Sequence, residues 1–300
     1  MTDWLLSLEG TRAGHDLALV LALVAAFLHA IFGALQKGRF DPFISRMAMD
    51  GGYGLMAAPF ALVVVPWPAP HLWPIFAGAV AIHAAYKLAM GFAYTKGAFT
   101  VVYPVVRGTG SLFAVLGAWL VFAEAFSPVQ WAGVAVLMAG IFGLAAYNLA
   151  YLRADRATLP AAMGLAVLTG LLVALYTTWD AYGIRAAADP FTFLAWFFML
   201  DGLTFAPLVA VFHRRAVAAI VDWPALAARG ITGGLVAFGS FGSVMLATRL
   251  DKVGEAAILR ETSPVFAAAL GWLLLGETVG PRRLAFIALI AAGAVIVETG

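Results

Sequence analysis

The sequence predicts an all-α polytopic membrane protein in which ten transmembrane helices form two inverted five-helix repeats. Three observations support this fold class: the composition, the number of apolar runs long enough to cross a bilayer, and an internal repeat. Of the 300 residues, 63% are hydrophobic and 11% are charged, and the mean hydropathy is +0.95. Soluble domains carry roughly 25% charged residues. The composition therefore predicts an integral membrane protein.

Ten apolar runs have the length of a membrane-spanning helix. A helix needs about 20 apolar residues to cross about 30 Å of hydrocarbon, and its backbone groups must bond within it because no water is present there. Helix breakers separate the runs, for example at Asp41-Pro42 and Gly280-Pro281. We predict spans at 17–36, 43–65, 73–95, 99–123, 128–148, 159–184, 190–212, 230–248, 254–276 and 281–298.

The second half of the chain repeats part of the first. Residues 95–140 align with residues 248–293 at a constant offset of 153, without a gap. The aligned pairs include Arg107 with Arg260, Thr109 with Thr262, Glu124 with Glu277, Pro128 with Pro281, and Gly140 with Gly293. Duplication kept only for packing is the alternative, because helices rich in small residues resemble one another by composition. Matched arginines, glutamates and prolines favour two structurally related halves.

The charged connection 153–156 divides the chain into two predicted five-helix domains, 1–152 and 153–300. Two weaker echoes join the early parts of the halves: Asp41-Pro42-Phe43 with Asp189-Pro190-Phe191, and Asp50-Gly51 with Asp201-Gly202. An odd number of spans per half makes the first and sixth helices start on opposite sides of the membrane. The repeat is therefore predicted to be inverted, as in many secondary transporters, with a substrate site near the bilayer midplane.

Eight ionisable residues fall inside the predicted spans, where each charge costs at least about 2.5–3.5 kcal/mol unless it faces a partner or a wet cavity. Four are basic and four are acidic: Arg46, Lys87, Arg107, Arg260, Asp50, Asp180, Asp201 and Glu261. Arg46 and Asp50 are four residues apart on one helical face, which favours a structural ion pair.

Arg107 and Arg260 are the strongest candidates for substrate contact. Each lies near a proline, Pro104 or Pro264, which frees a carbonyl and bends the helix. A guanidinium fork suits a carboxylate or phosphate, so we expect an anionic group on the substrate. The alternative is that each arginine pairs internally with an acid, for example Glu261, Asp180 or Asp201. Both interpretations remain open at this stage.

Aromatic and polar residues near these arginines complete the predicted site. The predicted substrate-binding residues are Arg107, Arg260, Lys87, Tyr86, Tyr103, Tyr176, Trp179 and Asp180. Histidine titrates near physiological pH, and burial raises the pKa of an acid. The predicted candidates for carrying a coupling proton are His29, His83 and Glu261. Glu124 and Glu277, at helix ends, are interpreted as helix caps or loop ligands.

Several segments resemble the EamA-type domains of the drug/metabolite transporter superfamily. One is the aromatic-rich fourth span, which ends in Glu124 and is followed by Pro128; another is Leu259–Pro264 in the ninth span. The segments Ala93–Gly97 and Tyr103–Gly108 are similar to one bacterial branch of that superfamily. The resemblance implies a ten-helix carrier, many of whose relatives export amino acids or other small metabolites.

The repeat and the resemblance together predict a secondary transporter, an exporter of a small amphipathic metabolite such as an amino acid or a related anion-bearing compound, working by alternating access around a midplane cavity. Its expected partners are the substrate, the lipid bilayer and protons, with no cofactor. The expected location is the bacterial inner membrane, as a monomer or homodimer. Basic residues concentrate in odd-numbered loops, including Lys37, Arg39, Arg214 and Arg215, which favours termini outside the cytoplasm. The resemblance implies cytoplasmic termini instead.

Other classes of protein fit the sequence less well. A flippase-like carrier of a lipid-linked or phosphate-bearing substrate is the main alternative, since arginines in an apolar cavity also suit a lipid phosphate. An enzyme is not expected: the chain has no cysteine and no His-Glu-x-x-His metal motif. No metal site is expected either, since the lack of cysteine rules out a thiolate site. Nucleic-acid binding is not expected, because the basic residues lie singly in short loops.

Overall fold

All regular elements among the described residues are helical, and none of these residues forms a strand. The structure is a computed structural model and describes residues 2–36, 40–151, 158–275 and 280–300. The first seven helices are α1 (Thr2–Ser7), α2 (Arg12–Gln36), α3 (Pro42–Pro59), which continues as a π-helical turn (Phe60–Val64), α4 (Leu72–Lys96), α5 (Phe99–Phe122), α6 (Pro128–Tyr151) and α7 (Leu159–Ala186). The remaining six are α8 (Pro190–Phe212), α9 (Arg214–Ala218), α10 (Trp223–Leu250), α11 (Val253–Arg260), α12 (Ser263–Leu275) and α13 (Pro281–Thr299).

Eight helical segments in the described part of the chain are long and apolar enough to cross a membrane. They correspond to the first eight predicted spans and are formed by α2, α3 with its π-helical turn, α4, α5, α6, α7, α8 and α10. The described part of the chain therefore has the long apolar helices that a polytopic membrane protein requires. The ninth and tenth spans stay predictions: the ninth region is divided between α11 and α12, and α13 carries Arg282 and Arg283 in its first turn.

The predicted span 254–276 is divided into two helices, next to the proline where the sequence predicted a bend. Helix α11 ends at Arg260 and α12 begins at Ser263. The amides of Glu261 and Thr262 donate to carbonyls only three residues back, at 2.9 and 3.1 Å. Pro264 has no N–H with which to continue the helix. The α-helical ladder therefore stops here. Around Pro104, by contrast, α5 stays continuous.

The eighth predicted span, 230–248, is also too short, since α10 begins at Trp223. Asp222 accepts a hydrogen bond from the amide of Ala225 at 3.0 Å, which caps the start of the helix. The predicted span began at Gly230 and so left out Arg229. Arg229 is accommodated within the helix by donating to the Ser45 hydroxyl at 3.0 Å.

The contacts divide the chain into two compact units. Unit 1 comprises residues 1–85 and 179–250, and unit 2 comprises residues 86–178 and 251–300. Helices α4 and α7 each contribute one part to each unit. Each unit therefore combines segments from both predicted halves. The predicted junction of the halves, 153–156, lies outside the described residues, as does Glu277.

In unit 1, α3 packs against α8 and α10 through glycines. A Cβ added to Gly54 would lie 3.0 Å from the backbone of Gly202, so the two helices approach backbone to backbone. The two helices also start alike. The Asp41 carboxylate accepts from the Phe43 amide, and the Asp189 carboxylate accepts from the Phe191 amide. The Asp-Pro-Phe echo in the sequence is therefore a pair of equivalent N-caps.

Two arginines of unit 1 cap the C-termini of each other's helices. Arg249, near the end of α10, donates to the carbonyls of Arg185 and Ala187 at 3.0 and 2.8 Å, and also to that of Ile184. Arg185, near the end of α7, donates to the Thr248 carbonyl at 2.8 Å. Carbonyls at a helix C-terminus lack intrahelical partners and carry partial negative charge, so these arginines stabilise both ends.

In unit 2, α6 and α13 make a close contact that is symmetric under the 153-residue offset. A Cβ on Gly140 would lie 2.8 Å from Ile290 Cγ1 and 2.8 Å from the Phe286 carbonyl oxygen. A Cβ on Gly293 would lie 2.6 Å from Leu137 Cβ and 2.7 Å from the Gly133 carbonyl oxygen. Under the 153-residue offset Gly140 corresponds to Gly293, Ile290 to Leu137, and Phe286 to Gly133. The two glycines therefore make equivalent contacts with the opposite helix. Such reciprocity is typical of elements related by a two-fold axis.

Glu124 caps α11, as the sequence predicted for this residue. Its carboxylate oxygens accept from the amides of Val253 and Gly254 at 2.8 and 3.0 Å. Both amides lie in the first turn of α11, where backbone donors have no intrahelical partner. The cap fixes the start of the helix that ends at Arg260.

We expect Glu124→Ala to lower the free energy of unfolding by about 0.5–2 kcal/mol, since two backbone donors lose their acceptor. Glu124→Gln keeps an acceptor oxygen and loses only the charge near the helix N-terminus, which contributes about 0.3–1 kcal/mol. Unfolding of purified protein in mixed micelles, followed by far-UV circular dichroism, measures both variants. Equal stability of Glu124→Ala and the parent would show that the cap is not needed.

Candidate functional site

Arg107 and Glu261 form a bidentate ion pair in unit 2. Arg107 Nε donates to Glu261 Oε2 at 2.8 Å, and Arg107 Nη2 lies 2.5 Å from Glu261 Oε1. Arg107 is 5% exposed and Glu261 is 1% exposed. Arg107 lies one turn after Pro104 on α5, and Ser111 donates to its carbonyl at 2.9 Å. The pair fastens α5 to the turn between α11 and α12, so the internal pairing considered from the sequence applies to Arg107.

Arg260 lies beside this pair. Nη2 of Arg107 is 3.5 Å from the carbonyl oxygen of Arg260, so the side chain of one arginine reaches the backbone of its repeat equivalent. Arg260 is 3% exposed, and its Nε has no hydrogen-bond partner among the residues that the structure describes. The two arginines aligned by the repeat therefore come together at the end of α11. Their side chains have different surroundings.

Most of the predicted substrate-binding residues belong to unit 2. They are Tyr86, Lys87, Tyr103, Arg107, Tyr176 and Arg260. The rings of Tyr86 and Tyr176 are in contact, with centroids 4.9 Å apart. Lys87 is 2% exposed. Tyr103 lies one turn before Arg107 on α5 and within electrostatic range of Arg260 and Glu261. Unit 2 therefore buries cations and phenol rings together.

The other two predicted substrate-binding residues, Trp179 and Asp180, lie in unit 1, as do the predicted proton carriers His29 and His83. His83 Nε2 is 2.8 Å from Asp180 Oδ2, and both side chains are buried. Asp180 therefore pairs with a histidine, whereas the sequence had offered it as a partner for an arginine. The His83 ring also stands edge-on to Phe197, with centroids 5.0 Å apart. This pair joins one predicted substrate residue to one predicted proton carrier.

Two predicted residues of unit 1, Trp179 and His29, make packing contacts with neighbouring side chains and backbone. Trp179 donates its indole N–H to the Ile75 carbonyl at 2.9 Å, and a Cβ on Gly78 would lie 2.5 Å from its ring. His29 lies among aromatic rings, with centroids 6.1 Å from Phe32 and 6.3 Å from Phe241. Their roles in substrate or proton binding stay predictions.

Sequence reasoning missed a buried contact between Tyr53 and Asp201. The Tyr53 hydroxyl donates to Asp201 Oδ2, and both residues are nearly inaccessible. The Arg46–Asp50 pair, predicted from its spacing and confirmed at 2.7 Å, lies on the same helix as Tyr53. The echo of Asp50-Gly51 in Asp201-Gly202 was the sequence signal that connected the two helices.

The buried charges are distributed unequally between the units. Among the described residues, unit 2 buries three cations, Lys87, Arg107 and Arg260, with two carboxylates, Glu255 and Glu261. Unit 1 buries three carboxylates with one arginine: Asp50, Asp180, Asp201 and Arg46. Lys252, half-exposed, also pairs with Glu255, at 2.6 Å. The formal charge of the buried side chains is therefore positive in the described part of unit 2 and negative in that of unit 1.

Comparison with known proteins gives the class and the family. Residues 160–299 match the model of the EamA-like transporter family. The protein is a membrane transporter, since members of that family are transporters rather than enzymes. The chain belongs to the drug/metabolite transporter superfamily and is of the EamA type. A small-molecule substrate and a lipid bilayer follow from this family.

A comparison with solved structures finds a protein of similar fold. A solved structure described as "Crystal structure of protein" has a TM-score of 0.75 and 18% sequence identity, covering 96% of this chain and 98% of that chain. At this identity the similarity concerns the fold alone. The search of curated proteins gave no match.

Proposed function

We propose that the protein is a secondary transporter that exports a small amphipathic metabolite bearing an anionic group, such as an amino acid or a related compound. Export proceeds by alternating access around a midplane cavity in the bacterial inner membrane. The observation that carries this proposal is the meeting of Arg107 and Arg260, the repeat-related arginines, at a buried helix break. The direction of transport rests on the resemblance to exporters.

Inverted repeats are part of the proposal. The reciprocal contacts of Gly140 and Gly293 support a two-fold relation between α6 and α13. The equivalent Asp41 and Asp189 caps support the same relation in the earlier part of each half. Ten spans in two inverted halves would let the halves rock about a central site, opening it to each side in turn. Substrate shifts that equilibrium only through different affinity for the two states.

The charge of unit 2 supports an anionic group on the substrate. A buried guanidinium is costly unless a counter-charge reaches it, and among the described residues of unit 2 the buried cations outnumber the buried carboxylates. The contacting rings of Tyr86 and Tyr176 add apolar surface with polar ends. Together these groups suit a ligand with one charged end and one apolar end.

We assign proton coupling to the pair of His83 and Asp180. A buried imidazole 2.8 Å from a carboxylate can hold a proton between the two groups, and histidine exchanges protons near physiological pH. Glu261 is held by Arg107, and His29 lies among aromatic rings. His83 is therefore the favoured proton carrier of the three predicted residues.

The test has two steps. A thermal-unfolding screen of purified protein against amino acids, polyamines, nucleosides and phospho-metabolites identifies a ligand, since a compound that binds only the folded state raises the unfolding temperature. The labelled hit is then followed in proteoliposomes. We expect counterflow in the parent, and stimulation by an imposed pH gradient that is lost in His83→Gln while counterflow remains. Gly164→Ala is the control, because Gly164 has no atom within 4 Å of an added Cβ. A ligand that binds but never crosses the membrane would refute the transport proposal.

A further inference from the structure

We propose that the two repeat-related arginines have separate roles: Arg260, with the start of α12, receives the anionic group, whereas Arg107 positions α5 against the α11–α12 turn. The claim that this anion is a transported substrate rests on the proposed transport function. The claim that Arg260 binds an anion is independent of transport.

The first argument is the contrast between the two guanidinium groups. Glu261 satisfies Arg107 with two parallel hydrogen bonds, so the Arg107 fork is occupied and its charge is neutralised. Arg260 is equally buried, but its Nε has no hydrogen-bond partner among the described residues. A buried charged donor without an acceptor is strongly unfavourable. An incoming anion would remove this cost at Arg260.

The second argument is the helix break. Helix α12 begins at Ser263, three residues after Arg260, and runs for 13 residues. Pro264 has no N–H, and the Val265 amide already donates to the Thr262 carbonyl at 2.9 Å, so this helix start contributes mainly the partial positive charge of the helix dipole. The interruption leaves the buried residue Arg260 three positions before this helix start. Half-helix N-termini in discontinuous transporter helices bind the anionic groups of substrates in this way.

The third argument is the surroundings of this helix start. Tyr103 of α5 lies beside Ser263 and within electrostatic range of Arg260. Its phenol can donate one more hydrogen bond to an anion. The Arg107–Glu261 pair contributes a full positive and a full negative charge, so it adds no net attraction. The expected ligand group is thus a single carboxylate or phosphate, with the Arg260 fork as the main contact.

The test uses three matched probes on purified protein at constant ionic strength: phenylacetate, phenyl phosphate and the neutral phenylacetamide. We expect the two anions to raise the unfolding temperature of the parent saturably and phenylacetamide not to do so. In Arg260→Met the apparent affinity for the anions should fall at least ~10-fold, since charge-assisted hydrogen bonds are lost. Arg260→Lys, which keeps the charge without the fork, should bind with intermediate affinity and guards against misfolding of the Met variant.

The double variant Arg107→Met/Glu261→Met separates the two roles. If Arg107 only positions α5, this variant should bind the anions within ~3-fold of the parent, because the removed pair is neutral overall. Loss of binding in the double variant, unchanged binding in Arg260→Met, or equal stabilisation by phenylacetamide would each overturn the assignment.

Two further measurements keep this inference distinct from the proposed function. Anion binding that requires Arg260, without counterflow of the same anion in proteoliposomes, would refute transport and leave the anion site in place. Counterflow that persists in Arg260→Met would refute the site and leave transport in place. Dihexanoyl phosphatidic acid carries the same phosphate on a lipid. Stronger stabilisation by it than by phenyl phosphate, again dependent on Arg260, would support the anion site and point to a lipid-linked substrate.

Discussion

Glu261→Met is expected to lower the free energy of unfolding by about 3–5 kcal/mol, because it leaves the buried guanidinium of Arg107 without its counter-charge. In the parent, both hydrogen bonds of the Arg107 fork end on Glu261, at 2.8 and 2.5 Å. Methionine offers no acceptor of comparable strength, and the site is shielded from water. The remaining charge must be buried unpaired, or the helices must separate to hydrate it.

The double variant Arg107→Met/Glu261→Met should recover most of that stability. Replacement of a whole buried ion pair by apolar side chains is often neutral or stabilising. The difference between the double variant and the sum of the single variants measures the coupling between the two residues. Reversible unfolding in mixed micelles, followed by circular dichroism, gives all of these values.

An ion pair with one partly exposed member provides the control. Lys252 and Glu255 are 2.6 Å apart, but the Lys252 side chain is 41% exposed, and Glu255 keeps a second donor in Gln130. Lys252→Met should therefore cost only about 0–1 kcal/mol. If Glu261→Met were no more destabilising than Lys252→Met, burial of the Arg107–Glu261 pair would not explain its stability.

Gly293→Leu is expected to destabilise the protein by at least about 1–3 kcal/mol through overpacking between α6 and α13. A Cβ at this position would lie 2.5 Å from the Leu137 backbone nitrogen and 2.7 Å from the Gly133 carbonyl oxygen. These are backbone atoms, so a rotamer change cannot relieve the clash, and the helices must move apart. Gly140→Leu, at the repeat-equivalent position, should have a similar effect.

The two glycine substitutions should not add independently. Once the first leucine has separated α6 from α13, the second meets less resistance, so the double variant should lose less than the sum of the single losses. Gly164→Leu is the control, since no packing neighbour among the described residues lies within 4 Å of its added Cβ. Yield of monodisperse protein and the unfolding midpoint report the outcome. Equal behaviour of Gly293→Leu and Gly164→Leu would mean that α6 and α13 do not pack this closely.

The sequence predicted those features of the structure that depend only on residues close together in the chain. The spacing of Arg46 and Asp50 predicted their ion pair, since residues four apart share one helical face. The position of Glu124 at a helix end predicted a cap, although its target helix was not specified. Pro264 predicted a bend in the ninth span, but the sequence did not show that one helix would end at Arg260 and another begin at Ser263, because the residues on both sides are apolar.

By itself, the sequence determined that the protein is an all-helical membrane protein of the EamA type, where most of its helices lie, and which two arginines correspond. These properties depend on composition, on run lengths and on repeated motifs, which are all visible along one chain. Only the tertiary structure decided that Glu261 pairs with Arg107, that Asp180 pairs with His83, and that Asp201 bonds to Tyr53. These partners are separated by 97–154 positions in the chain. Which acid comes within 3 Å of which base depends on how the helices pack, and the sequence offered each base more than one acid of the same chemistry.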